Sequence, residues 1–369
     1  MGRIPHSFKR GFPSSQMTAS YGAVSPLALQ RAGKRQGQMT NTRFDVLTIG
    51  NAIVDIIANC EEDFLVRENI IRGAMNLIEA ERAEQLYAAM GPAIQASGGS
   101  AANTAAGIAG LGGKAAYFGK VADDGLGRFF RHDIHAVNVH FATGPLAGPP
   151  PTARSMIFVS PDGERSMNTY LGACVELGVE DIDAEVVAAS KITYFEGYLW
   201  DPPRAKQAIR LAAKIAHSNN RSFAMTLSDP FCVDRYRAEF LELMRSGTVD
   251  IVFANESEVK SLYQTSSFES ALEAIRGDCA LGVVTRSEIG SVIVSREETH
   301  AIAACPVQRV VDTTGAGDLY AAGFLFGLTN GRNLPGCARI GSLAAARVIQ
   351  QVGPRPREDL AAILAAEGL

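Results

Sequence analysis

From Phe44 onward, short apolar runs alternate with amphipathic stretches along the chain. Phe44–Gly50 (FDVLTIG) reads as a buried strand and Glu79–Met90 as an amphipathic helix. Ser100–Leu111 reads as a helix of small residues, and Ala115–Gly119 as the strand after it. Later apolar runs at Ile192–Phe195, Ser222–Leu227, Asp250–Ala254 and Gly282–Thr285 flank helical stretches such as Ala205–His217. Such alternation predicts an α/β protein with a mostly parallel sheet covered on both faces. Ligands then belong at the carboxyl ends of the strands. Two segments break the rhythm. Asp55–Cys60 with Gly73–Ile78, and Ala153–Ser160 with Glu164–Leu171, read as antiparallel strand pairs, the second joined by the turn Pro161-Asp162-Gly163. They predict a small sheet standing off the main one, as a lid would.

The 369 residues are 47% hydrophobic, enough for one large domain with a small appendage. A net charge of −4 implies no general attraction to nucleic acid or an acidic membrane. No aromatic–basic stripe suggests strand binding, and no apolar run is long enough to span a bilayer. Six widely spaced cysteines without a CxxC read as reduced, structural thiols of a cytoplasmic protein. His132 and His135 share a helical stretch but lack acidic or thiol companions, so no metal is expected there. Residues 1–43 differ from the rest. They hold no acidic residue, while Arg3, Lys9, Arg10, Arg31, Lys34, Arg35 and Arg43 are basic. This stretch is expected to be a disordered leader of organelle-transit character, or a start read too early with Met39 as the natural first residue. The second explanation is the simpler.

Candidate chemistry concentrates in four places. Asp312-Thr313-Thr314-Gly315-Ala316-Gly317-Asp318 follows an apolar stretch and opens into a helical pattern, Leu319–Leu328. A Gly-rich helix start leaves backbone N–H groups pointing outward, and with the helix dipole they seat an anion. A carboxylate at the end of that seat, Asp318, can take a proton from a hydroxyl while phosphate oxygens rest on the amides. The same run also fits a capped helix start. Gly98-Gly99-Ser100-Ala101-Ala102-Asn103-Thr104 lets the backbone approach a ligand, although helix N-caps often look alike. Asn255 and Glu258, three apart on an emerging helix, can act through water on Mg²⁺, or form a capping box. Asp55, closing GNAIVD, can grip a sugar diol or serve as a turn acid.

Taken together and in order, these pieces are similar to the PfkB/ribokinase family of carbohydrate and nucleoside kinases. DTTGAGD resembles its C-terminal signature, GGSAANTA its N-terminal one, and NESE its NxxE motif. GNAIVD, ERSMNTYLGA, and LSDPF followed by VDIVFANESE resemble the branch that phosphorylates adenosine. The resemblance implies a ribokinase-like fold, a Rossmann-like three-layer sandwich with a β-sheet lid. Residues 44–54, 79–150 and 172–369 would form the large domain, and 55–78 with 151–171 the lid. It implies ATP and Mg²⁺, often K⁺, and transfer to the 5′-hydroxyl of a purine nucleoside, adenosine first. A sugar kinase acting on ribose, fructose or a keto-sugar acid is the alternative. A nucleoside binder without turnover would have little reason to keep both Asp318 and the GAG turn. The partners are the nucleoside and ATP, for a monomer or homodimer.

Carried over by position, Asp318 would accept the proton of the 5′-hydroxyl, and Gly315, Ala316 and Gly317 would form the anion hole. Asp55 would hold the ribose hydroxyls beside Gly98, Gly99, Ser100 and Asn103, with Asn51 facing the nucleoside. Arg165 would be the lid arginine that approaches the phosphates on closure. Asn255, Glu258, Thr285, Gly290 and Thr314 would serve ATP, with Glu258 reaching Mg²⁺ through water and Asp312 a K⁺ ligand. Met167, Leu171, Tyr198 and Phe231 would wall the base, although each is also a natural core residue. One departure stands out. Where relatives carry TxGxxG, this chain has Thr285-Arg286-Ser287-Glu288-Ile289-Gly290, which puts that loop's conformation in question.

Overall fold

Among the described residues, thirteen strands pair into two sheets. In chain order they are β1 (Phe44–Ile49), β2 (Ile53–Asn59), β3 (Met75–Leu77), β4 (Ala93–Ser97), β5 (Ala115–Phe118), β6 (Ala153–Val159) and β7 (Arg165–Tyr170). Then follow β8 (Ser190–Glu196), β9 (Ser222–Thr226), β10 (Ile251–Asn255), β11 (Leu281–Thr285), β12 (Ser291–Ser295) and β13 (Thr299–Ile302). The structure, a computed structural model, describes residues 42–369. The expectations for the leader and for Met39 lie outside the described residues.

The larger sheet runs β13-β12-β11-β10-β9-β8-β1-β5. It is parallel from β11 to β5, and β12 pairs antiparallel with both β11 and β13. Strands covered on both faces need apolar residues at nearly every position, which is why FDVLTI and IVFAN read as continuous runs. One core includes the Ser100–Gly110, Ala316–Thr329 and Leu334–Val348 helices, and the other the Pro203–Ser218 and Pro230–Arg245 helices. The predicted three-layer α/β architecture is what the chain adopts. Small residues set one spacing that matters later. A side chain on Gly107 would meet Leu319 Cδ1 at 2.6 Å and Ala322 Cβ at 2.8 Å. The Ser100–Gly110 and Ala316–Thr329 helices therefore lie close enough for side chains near their N-termini to touch.

The smaller sheet runs β3-β7-β6-β2-β4. β6 and β7 form the predicted antiparallel pair. The other predicted pair is corrected: β2 lies parallel to β6 and antiparallel to β4, whereas β3 lies parallel to β7. The reason is burial. Ile56 of β2 joins Met156 and Phe158 of β6 in a core completed by Ala83 and Leu86 of the Ala80–Ala89 helix. The three-residue β3, with Met75 and Leu77 exposed, has no comparable apolar face to offer. β4 escaped prediction because AIQAS is short and mostly exposed. Its position has a functional consequence. β2 and β4 lead out from β1 and back into the Ser100–Gly110 helix, so Asn51, Asp55, Gly98 and Gly99 all sit where the two sheets meet.

Candidate active site

A cavity of 1290 Å³ opens at the carboxyl ends of the parallel strands, beside the small sheet. Asn51, Glu196, Thr226, Asn255 and Thr285, each at or just beyond the end of one of those strands, line it. So do Asp55, Gly99, Ser100, Asn103, Met167, Leu171, Tyr198, Phe231, Glu258, Gly290 and the run Thr314–Asp318. Of the residues given a catalytic, binding or ion-holding role from the sequence, Gly98, Arg165 and Asp312 are not on the wall.

Asp318 occupies the first turn of the Ala316–Thr329 helix, which starts after Gly315 in a left-handed conformation, φ 79°. A side chain at Gly315 would also meet Pro354 O at 2.7 Å, so the turn needs glycine twice over. The N–H of Ala316 donates to Thr313 O at 3.2 Å. Those of Gly315, Gly317 and Asp318 find no acceptor among the described residues, and they remain available to an anion. The Asp318 carboxylate accepts from Ser100 Oγ at 2.6 Å and from Asn103 Nδ2 at 3.0 Å. Burial raises its pKa, against the lowering effect of these two donors and of Arg355. A carboxylate pushed upward yet still held by donors suits a general base.

At the acceptor end, Asp55 faces the cavity and accepts no hydrogen bond from the described residues. Burial pushes it up to about 7, although Arg355 and Arg165 pull it down. Its carboxylate occupies the space a side chain on Gly98 would need, 2.3 Å from Oδ2. Gly99, at φ 89°, brings its backbone against Asn51 O. Two acceptor oxygens with no protein donor, at the rim of a cavity, suit a vicinal diol.

The apolar wall resolves an ambiguity. Phe231 is 79% exposed and lines the cavity, so it is not a core residue. Met167, Leu171 and Tyr198 are half-buried and line the same cavity; Tyr198 also packs against the second core, and its hydroxyl donates to Ser228 O at 3.3 Å. Ile71, Met75 and Leu77 add exposed apolar surface to the cavity.

Asn255 and Glu258, which also line the cavity, form a reciprocal cap. Asn255 Oδ1 accepts from Glu258 N at 2.9 Å, and Glu258 accepts from Asn255 N at 3.0 Å and from its Nδ2 at 2.6 Å. Each Glu258 oxygen keeps a lone pair, which fits contact with hydrated Mg²⁺ through water. Among the described residues no three His, Cys, Asp or Glu side chains cluster to bind a metal directly. In the atypical loop, Ser287 takes the left-handed φ of 49° that a glycine would adopt, and Gly290 keeps φ 113°. Asp312 spends its carboxylate on Thr314 N at 3.0 Å, Gly353 N at 2.7 Å and the Arg165 guanidinium. Through this pair with Asp312, Arg165 meets the phosphate-seat segment.

Two residues of the site carried no motif. Glu196 ends β8 and accepts from Asn51 N at 2.9 Å, Asn51 Nδ2 at 2.8 Å and Ala101 N at 2.7 Å. An acid closing the apolar strand KITYFE was its only signal. Arg355, between two prolines, donates to Asn103 Oδ1 at 3.3 Å.

Burial pushes Asp55, Glu196 and Glu258 each up to about 7. Between about pH 4 and about pH 7 the folded state then keeps protons that the unfolded chain has released, so stability falls as pH rises through that window. The melting temperature of the ligand-free protein should decline from about pH 5 to about pH 8, and Glu258→Gln should flatten the decline. A rise over that interval would mean these acids are already ionised in the fold.

Residues 45–360 match the family described as pfkB family carbohydrate kinase. The adenosine kinase of Sinorhizobium meliloti is 67% identical in sequence, with a TM-score of 0.85 over 89% of this chain and 100% of its own. A protein of Rhizobium etli CFN 42 described as a probable sugar kinase is 64% identical, with a TM-score of 0.85 over 89% of this chain and 99% of its own. The adenosine kinase of Saccharomyces cerevisiae is 26% identical over 340 residues, 84% of this chain and 96% of that protein.

Proposed function

The chain belongs to the pfkB family of carbohydrate kinases, and on that premise we propose that it transfers the γ-phosphoryl group of ATP to the 5′-hydroxyl of adenosine, giving AMP and ADP. One observation carries the choice of acceptor: a single cavity holds Asp318 beside free amides, Asp55 without a protein donor, and the exposed ring of Phe231. The 67% identity to the adenosine kinase of Sinorhizobium meliloti supports the same reading. The likeness to the Rhizobium etli protein keeps a sugar acceptor as the second reading. Against it stands the apolar wall of Phe231, Ile71, Met75 and Leu77, which suits a purine ring better than a sugar alone.

In this reading Asp55 receives the ribose 2′- and 3′-hydroxyls, and the apolar wall fixes the base. The 5′-oxygen then lies toward Asp318, which takes its proton as the new O–P bond forms. The bond from γ-phosphorus to the bridging oxygen breaks, and ADP keeps that oxygen. The N–H groups of Gly315, Gly317 and Asp318 neutralise charge on the moving phosphoryl group. Asn255 and Glu258 would hold Mg²⁺ through water, where it neutralises the ATP phosphates. The small sheet acts as the lid, carrying Arg165 toward the phosphate seat. The protein works in the cytoplasm on small molecules, as a monomer or homodimer. No helix among the described residues is long and apolar enough to cross a membrane.

The test is the product. Adenosine with ATP and Mg²⁺ should yield AMP, and 5′-deoxyadenosine should yield nothing; phosphorylation of 5′-deoxyadenosine would place the acceptor hydroxyl elsewhere. Phe231→Ala should leave the melting temperature unchanged, since the ring is exposed, yet weaken adenosine binding by about 1–3 kcal/mol. Ribose binding should hardly change. Calorimetric titration of both ligands checks this, and equal losses would remove the stacking role.

A further inference from the structure

Arg355 lies between Pro354 and Pro356, in the segment after the Leu334–Val348 helix. Prolines on both sides restrict its backbone. The segment is also tied to the phosphate seat, because Gly353 N–H donates to Asp312 and Pro354 packs on Gly315. The guanidinium is spent inside the protein. Nη1 donates to Ser97 Oγ at 2.5 Å, and that hydroxyl donates to Asp133 Oδ2 at 2.6 Å. Nε donates to Asn103 Oδ1 at 3.3 Å, and Nη2 is buried with no partner among the described residues. Arg355 does not line the cavity.

Its partner Asn103 is one of two side chains that hold Asp318. A carboxamide presents an acceptor at one end and donors at the other, and its neighbours decide which way it faces. Arg355 has only donors to give. Oδ1 of Asn103 must face it, and Nδ2 is then turned onto Asp318 Oδ2 at 3.0 Å. We propose that Arg355 is a positioning residue for the proton acceptor: through Asn103 it fixes a donor on Asp318, and it supplies the positive charge behind that donor.

This inference rests on the reading of Asp318 as the base. The charged and titratable groups around it are few and can be named. Asp55 on β2 and Glu196 and Tyr194 on β8 interact with Asp318, while Asp133, Asp55 and Tyr117 surround Arg355. Ser100, Asn103 and Thr104, from the facing helix, are neutral. Arg355 is the positive group that acts on Asp318, while Arg165 acts on Asp55 alongside Arg355. Burial raises Asp318, and Arg355 opposes that rise. Without the charge, the acidic limb of the rate profile must move to higher pH, because the base has to lose its proton to work.

The experiment compares pH profiles of kcat for wild type, Arg355→Gln, Arg355→Lys and Asp318→Asn with adenosine and ATP. Glutamine keeps a donor for Asn103 but no charge. Its acidic limb should move up by about one pH unit, with kcat about tenfold lower on the limb itself and recovering to a plateau above it. Lysine keeps the charge, so its limb should stay at the wild-type position. A Gln variant with the wild-type limb, whatever its kcat, overturns the proposal. Should the Gln variant not fold, a limb displaced upward in the Lys variant overturns it equally. Asp318→Asn separates the two readings: if it retains turnover the base assignment itself fails, and if it is inactive while the limb of Gln stays put, only the role of Arg355 fails.

Discussion

Replacing Asp318 with asparagine should lower kcat by about 10²–10⁴ while adenosine affinity stays within about threefold of wild type. The substitution keeps the size of the side chain and an oxygen for Ser100, which lies 2.6 Å from the present carboxylate. What it removes is the ability to accept a proton. The free amides of Gly315 and Gly317 and the acceptor pocket around Asp55 remain, so binding and charge stabilisation persist and turnover does not vanish. Calorimetry for affinity and single-turnover kinetics for the chemical step separate the two effects. A variant with nearly normal kcat would mean the 5′-hydroxyl loses its proton to some other group.

Asp55→Ala should act on the other end of the acceptor, lowering kcat/KM for adenosine by about 10²–10³. A hydrogen bond to a charged group contributes about 1.5–3 kcal/mol, and this carboxylate is positioned for two hydroxyls. Wild type should prefer adenosine over 2′-deoxyadenosine, and the variant should lose most of that preference. Stability should move the opposite way. Asp55 is buried and receives no hydrogen bond from the described residues, so deleting it relieves a desolvated acid; the melting temperature should hold or rise. A variant that melts much lower, with its adenosine preference intact, would make Asp55 a structural residue.

Why was so much of this legible in the sequence? The parallel strands are buried on both faces, so their apolar runs stand out, and the loops at their carboxyl ends inherit the chemistry. Glycines that must take φ near 79° or 89° mark those loops because other residues are strained there. The small sheet was harder. Pairing of β2 with β6 rather than β3 depends on a core shared with the Ala80–Ala89 helix, which no local alternation records. Glu196 and Arg355 were harder still. Each acts on a partner far along the chain, Asn51 in one case and Asn103 in the other, and a single acid or arginine carries no periodicity. Ser287 shows the reverse: the loop keeps a glycine-like turn although the glycine is gone, at a cost of about 1–2 kcal/mol typical of that conformation.

The account turns on a nucleoside occupying the cavity with its 5′-oxygen at Asp318. The most direct test is ATP consumption with adenosine, inosine, guanosine, ribose and fructose, each with and without potassium. Adenosine should give the highest kcat/KM, at least about a hundredfold above either sugar, as expected if the apolar wall contributes about 3 kcal/mol to acceptor selection. Turnover with ribose or fructose and none with adenosine would contradict it.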